Sequence, residues 1–179
     1  MPEFQRLVLF VAAGISALAL LLLIISVATP SWLDDGKGNT IGLFRKCLAD
    51  NTTSGGLGPG CHNENRSTQG GLSIFGLLLL VFGLFATIAA AFTGNTMILL
   101  VALGLIYFSS MFIMSAYASW GVYSRDPASY NFPSTPRDDQ HTSMGSSYNL
   151  CAASHFFIWT ALTVIAFATG HAWGSQRNT

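Results

Sequence analysis

Charge is scarce in this chain. Lys, Arg, Asp and Glu make up only 9% of the 179 residues, whereas a soluble domain carries roughly a quarter. An ordinary water-facing surface is therefore excluded. Eight basic residues balance eight acidic ones, and no basic patch follows from their spacing, so no nucleic-acid partner is expected. Catalytic signatures are missing as well. The sequence holds no Cys-x-x-Cys pair, no phosphate-binding glycine loop and no metal-spaced histidines, since His62, His141, His155 and His171 are scattered. Its apolar stretches contain no carboxylate to act as acid or base. The expectation is a non-enzyme with no cofactor and no metal. A small transporter is also disfavoured, because buried charges and broken helices are lacking.

What remains is apolar: 51% of the residues are hydrophobic. Four stretches, residues 7–28, 72–92, 97–117 and 150–169, lack Asp, Glu, Lys and Arg entirely. A helix of about 20 residues spans roughly 30 Å, the thickness of the hydrocarbon core, and satisfies its own backbone where water cannot. The fold expected is an all-α membrane domain, one bundle of four spans over residues 1–179 with the lipid bilayer as its surroundings. An N-terminal signal peptide ending near Ser26-Val27-Ala28 is the alternative. Its apolar core would be too long for one.

The connections are unequal. Residues 93–96, "TGNT", force the second and third helices into a tight antiparallel hairpin. Residues 29–71 and 118–149 then lie on one side, with both termini on the other. Six of the eight Lys and Arg residues fall in the long connections, which by the positive-inside rule argues that these are cytoplasmic. Against that, one long connection holds two N-glycosylation sequons, at Asn51 and Asn65, together with Cys47 and Cys61. Glycan acceptors and paired cysteines suit an oxidising compartment. The long connections are accordingly expected outside, with the termini and the 93–96 turn in the cytoplasm.

From Thr40 to Leu48, β-formers and apolar residues lead to Cys47, and a glycine-rich turn follows before Cys61. This suggests a strand, a long turn and a returning strand. A disulfide closing the 13 intervening residues would contribute about 3 kcal/mol by the loop-entropy estimate. A segment of this size builds little core without one.

Trp32, followed by Gly42-Leu43-Phe44, Cys47 and Cys61, resembles the W-GLW-C-C signature of the claudin, peripheral myelin protein and epithelial membrane protein superfamily. Phe44 stands where the family usually has Trp. Nine residues separate Trp32 from Gly42, a spacing closer to the myelin and epithelial membrane protein branch. The resemblance implies a left-handed four-helix bundle topped by a small extracellular antiparallel β-sheet, with Cys47 bridged to Cys61. It places Asp34, Asp35, Lys37, Arg45, Lys46 and Asp50 as candidate selectivity or recognition charges, with a plainly solvated loop as the alternative. Tyr130, Phe132 and Pro133 are candidate contacts of the second loop, or pack locally against the first. Trp32 and Phe44 would seat the sheet. Trp32 and Trp120 also suit an interfacial aromatic belt.

Within the helices, Ala86 with Ala90 and Ser115 with Ser119 offer close-approach spacings. His155 is an intramembrane functional candidate or a neutral histidine bonded to a neighbouring helix. Cys151 lies at the outer end of its helix, away from cytoplasmic acylation. The resemblance implies a plasma-membrane protein at cell-cell contacts that self-associates within and between cells, forming junctions, a barrier or a paracellular pore. A second implication is an auxiliary subunit that alters trafficking or gating of a channel or receptor. "GSQRNT" ends in Thr, unlike the apolar terminus of PDZ ligands, so scaffold docking is not expected.

Overall fold

The computed structural model describes residues 3–49, 58–64, 66–125 and 142–177, with side chains up to Gly174. Asp50, Asn51, Asn65, Tyr130, Phe132 and Pro133 lie outside the described residues. Four helices carry most of it: α1 (Glu3–Ala28), α2 (Ser67–Thr93), α3 (Thr96–Tyr123) and α4 (Ser146–Arg177). Each is long and apolar enough to cross a membrane. All four run beyond the uncharged stretches that suggested them. α1 takes in Glu3 and Arg6, and α4 extends to Arg177, because helix geometry continues past the apolar run wherever no breaker intervenes.

The hairpin between α2 and α3 is closed by its own polar residues. Gly94 adopts φ 70° and donates its N–H to Ala90 O, a left-handed helix stop. Asn95 then caps α3, its side chain accepting from Met97 N at 2.9 Å.

Each helix buries one seam, and the seams share a period. Along α1 they are Gln5, Leu9, Ala12, Ser16, Ala19, Leu23 and Ser26. α2 uses Ser73, Gly76, Leu80, Gly83, Thr87 and Ala90. α3 buries Leu99, Ala102, Ile106, Ser109, Ile113, Ala116 and Trp120. α4 continues the pattern with Ser147, Cys151, Ser154, Ile158, Ala161, Ile165, Ala168 and Ala172. Steps of three and four alternate throughout, the repeat of left-handed bundles and coiled coils. The helices close into a ring in which α1 packs on α2 and α4, and α3 on α2 and α4.

Small residues let the backbones approach. A Cβ on Gly76 would lie 2.7 Å from Ile113 Cγ1, and one on Gly83 would lie 2.6 Å from Ile106 Cγ1. Of the expected Ala86/Ala90 and Ser115/Ser119 pairs, only Ala90 belongs to the buried seams. Ser115 is exposed, its hydroxyl bonded back to Met111 O in its own helix. Outward faces carry Phe75, Phe82, Phe85, Phe156 and Phe167, all exposed.

A five-stranded antiparallel sheet sits where α1 and α3 end and α2 and α4 begin, in the order β4-β3-β2-β1-β5. Its strands are β1 (Leu33–Asp34), β2 (Thr40–Ile41), β3 (Arg45–Leu48), β4 (Gly60–Asn63) and β5 (Ser143–Met144). The single strand expected over Thr40 to Leu48 is instead two. Gly42 N donates to Arg45 O at 2.8 Å, turning the chain so that Thr40 pairs with Cys47 and Ile41 with Lys46.

Candidate functional site

The bundle end that carries the sheet gathers the residues singled out from the sequence. Cys47 and Cys61 stand opposite each other in the β3–β4 register and are disulfide-bonded. Trp32 opens the sheet from below. Its N–H donates to Ile41 O at 2.9 Å, its carbonyl accepts from Gly145 N at 3.0 Å, and its indole Nε1–H donates to Ser26 O at 2.9 Å. One residue thereby links β2, the segment leading into α4, and the last turn of α1.

Trp32 is 0% exposed and so is Trp120. They are core residues, so an outward-facing aromatic belt does not describe either. Tyr148 adds a third ring, 6.1 Å from Trp32.

Gly42 is required by contact. A Cβ there would fall 2.5 Å from Pro30 Cα, so only glycine lets the β2–β3 turn rest on the end of α1. Leu43 is buried, and its carbonyl accepts from Arg66 N at 3.1 Å. Phe44 O accepts from Glu64 N at 2.9 Å, and its ring lies so close to Gly70 that a Cβ there would be 2.7 Å from Phe44 Cε1. Gly42, Leu43 and Phe44 thus clamp the sheet between the end of α1 and the start of α2. Beside the clamp, Val27, Ala28, Thr29, Pro30 and Arg45 line a cleft of about 330 Å³.

Among the described charges, the two aspartates act locally. Asp34 Oδ1 accepts from Gly36 N at 2.8 Å, and Asp35 Oδ1 from Lys37 N at 2.8 Å and Asn39 N at 3.0 Å. Both carboxylates thus shape the β1–β2 turn, which positive φ at Gly36 and Gly38 completes. Lys37 and Arg45 are exposed, whereas Lys46 is buried. Burial pushes the Lys46 ammonium below its ordinary value; Glu64 opposes that shift and Arg66 adds to it.

Sequence reasoning missed Glu64 and Arg66. They form an ion pair, and the Arg66 guanidinium lies 4.4 Å from the Tyr123 ring centroid, joining β4's exit to the end of α3. Both lie in the first long connection, and Arg66 is the middle residue of the Asn65-Arg66-Ser67 sequon. Ser147 was missed too: its hydroxyl lies 2.6 Å from Thr29 Oγ1 and accepts from Ser31 N at 3.2 Å, while its carbonyl accepts from Ser26 Oγ at 2.6 Å.

His155 does bond to a neighbouring helix. Its Nε2 lies 3.0 Å from Ser110 Oγ and its Nδ1 3.1 Å from Tyr117 OH, both on α3. A serine beside an imidazole is chemically a nucleophile beside a base. Ser110, however, is 1% exposed, so a substrate does not reach its oxygen. Among the described residues, no three His, Cys, Asp or Glu side chains converge to hold a metal ion. No family model matches the chain, and no curated protein matches it.

Proposed function

We propose that this is a multi-pass plasma-membrane protein of the claudin, peripheral myelin protein and epithelial membrane protein superfamily, with its sheet outside the cell and both termini in the cytoplasm. It forms or organises contacts between cells, through self-association within one membrane and across two. The observation that carries the reading is the disulfide-bonded sheet held on one bundle end by Trp32 and the Gly42-Leu43-Phe44 clamp. These are the residues that resemble the family signature, with Phe44 where the family usually has Trp. A bonded cystine in the segment that also holds both sequons suits the oxidising side of a membrane. A rigid small sheet presents its exposed positions, Lys37, Arg45 and Asn63 among them, as a surface for another molecule.

The test is expression of the tagged chain in separated, junction-free cells, comparing contacts between two expressing cells with contacts to non-expressing neighbours. Enrichment only where both cells express it supports pairing across membranes, and conductance across a monolayer then separates barrier from pore. Uniform surface signal overturns the adhesive reading.

The second reading is an auxiliary subunit of a channel or receptor. The exposed phenylalanines of α2, Phe75, Phe82 and Phe85, favour it by offering a face for another membrane helix. Crosslinking from that face to a larger membrane protein is its expected outcome. Glycosidase mapping that places Asn51 and Asn65 in the cytosol overturns both readings.

A further inference from the structure

The polar cluster around His155 goes beyond contact formation, because its hydrogen bonds depend on one proton. Three side chains meet the ring. Trp159 Nε1–H donates to Nε2 at 3.0 Å, Ser110 Oγ lies 3.0 Å from the same nitrogen, and Tyr117 OH lies 3.1 Å from Nδ1. An indole N–H only donates, so Nε2 has to be the bare, accepting nitrogen. The neutral ring then carries its proton on Nδ1 and donates it to the Tyr117 oxygen.

We infer that His155 is a proton-sensitive latch across the α3–α4 seam, closed while the ring is neutral and opened by protonation at Nε2. A proton there sets two donors, His155 Nε2–H and Trp159 Nε1–H, against each other. Ser110 can reverse and accept; Trp159 cannot. The indole is 44% exposed on the outer face of α4, so it can leave without displacing the core. Among the described residues of the four helices, no carboxylate faces the ring to compensate the new charge. From α3 the only titratable group facing the ring is Tyr117; on α4 itself Cys151 and Tyr148 lie nearest, and neither is acidic at neutral pH. α2 and α3 contain no charged residue, and those of α1, Glu3 and Arg6, lie at its other end.

An uncompensated imidazolium in an apolar seam is relieved by hydration, which requires α3 and α4 to part locally. Towards the hairpin, the seam is already open. Leu103, Gly104, Tyr107, Leu162 and Ala166 line a groove of about 440 Å³ there. The latch is thus the polar tie of the seam that carries this groove, and a proton is its ligand.

The test uses the full chain in lipid nanodiscs, labelled at histidine and tryptophan nitrogens and titrated from about pH 8 to about pH 4.5 around the ordinary histidine range. His155→Asn assigns the signals. The expected result is the Nδ1–H tautomer at neutral pH and a shift of the Trp159 indole proton in the same single-site step as His155 protonation. In Trp159→Phe, where Ser110 alone faces Nε2 and can take either role, a mixture of tautomers is expected. An Nε2–H ring at neutral pH overturns the latch. So does a Trp159 signal that stays fixed while His155 titrates, a ring that never titrates in the range, or a Trp159→Phe variant with an unchanged tautomer.

Discussion

The ring of Trp32 meets that of Trp120 edge to face, 5.3 Å between centroids, where the root of the sheet touches the last turns of α3. Such pairs add to the burial of two large side chains. Removing one leaves a large void. Trp32→Ala is expected to cost about 3–5 kcal/mol, a large share of a typical folding free energy. Trp32→Phe keeps a ring but loses the donor to Ser26 O, and is expected to cost about 1–3 kcal/mol, with the stranded carbonyl deciding where in that range it falls. Denaturation in detergent measures both, and equal costs would remove Trp32 as the seat of the sheet.

The Cys47–Cys61 bridge makes a separate prediction about thiols. Cys151 is the third cysteine and is buried. A native, oxidised chain should therefore resist alkylation, gain two reactive thiols on mild reduction and a third on unfolding. The double replacement of Cys47 and Cys61 by serine should lower stability by about 3 kcal/mol through loop entropy. A reactive thiol in the native oxidised chain contradicts the arrangement.

Between α2 and α3 the backbone spacing is set by glycine. Gly83→Ala places a methyl against Ile106 Cγ1, a β-branched side chain with little rotamer freedom, and Gly76→Ala does the same against Ile113. Overpacking costs about 1–3 kcal/mol, against a gain of about 1 kcal/mol from helix propensity, so net loss is expected. At Gly104 nothing lies within 4 Å of a new Cβ. Gly104→Ala should be neutral or stabilising by up to about 1 kcal/mol. Melting temperatures of the three variants decide it; the same sign for all would refute the contact argument.

Lys46 predicts a pH dependence. Its folded value lies below the ordinary 10.5, chiefly through burial, so between those two values the unfolded chain holds the proton and the folded chain does not. Stability contributed by this group therefore rises with pH across that window. Relative to Lys46→Met, the wild type should gain melting temperature from neutral pH towards about pH 10. Glu64→Gln, which removes the compensating carboxylate, should enlarge that gain. Parallel curves for wild type and Lys46→Met would refute it.

Helix number and the short hairpin were legible because uncharged length is a direct consequence of the bilayer's thickness. The bundle's inner seam was legible in principle and was overlooked. When both faces of a helix are apolar, hydrophobic periodicity vanishes, and what marks the inside is small or hydroxylated residues. Gly76, Gly83 and Thr87 follow one another at steps of seven and four along α2, and Ser16 and Ser154 sit in the buried seams of α1 and α4. The break between β2 and β3 was hidden because Gly42 is forced by Pro30, twelve residues earlier and folded back against it. Likewise, the aspartates of the first turn look like surface charges until the amides they accept from are known. His155's partners on α3, Ser110 and Tyr117, follow only from the docking of α4 on α3.

The β1–β5 pairing has a consequence for the order in which the molecule is made. β1 follows the first helix, and its outer neighbour β5, Ser143–Met144, precedes the last. Until the ribosome has supplied that strand, Leu33 and Asp34 present an unpaired edge, and Ser147 is not there to meet Thr29, Ser31 and Ser26. A chain stalled or truncated before Ser143 therefore displays a sticky strand that the finished protein conceals. Strand β5 and helix α4 cover it together, so concealment of β1 reports that the chain has been made as far as α4.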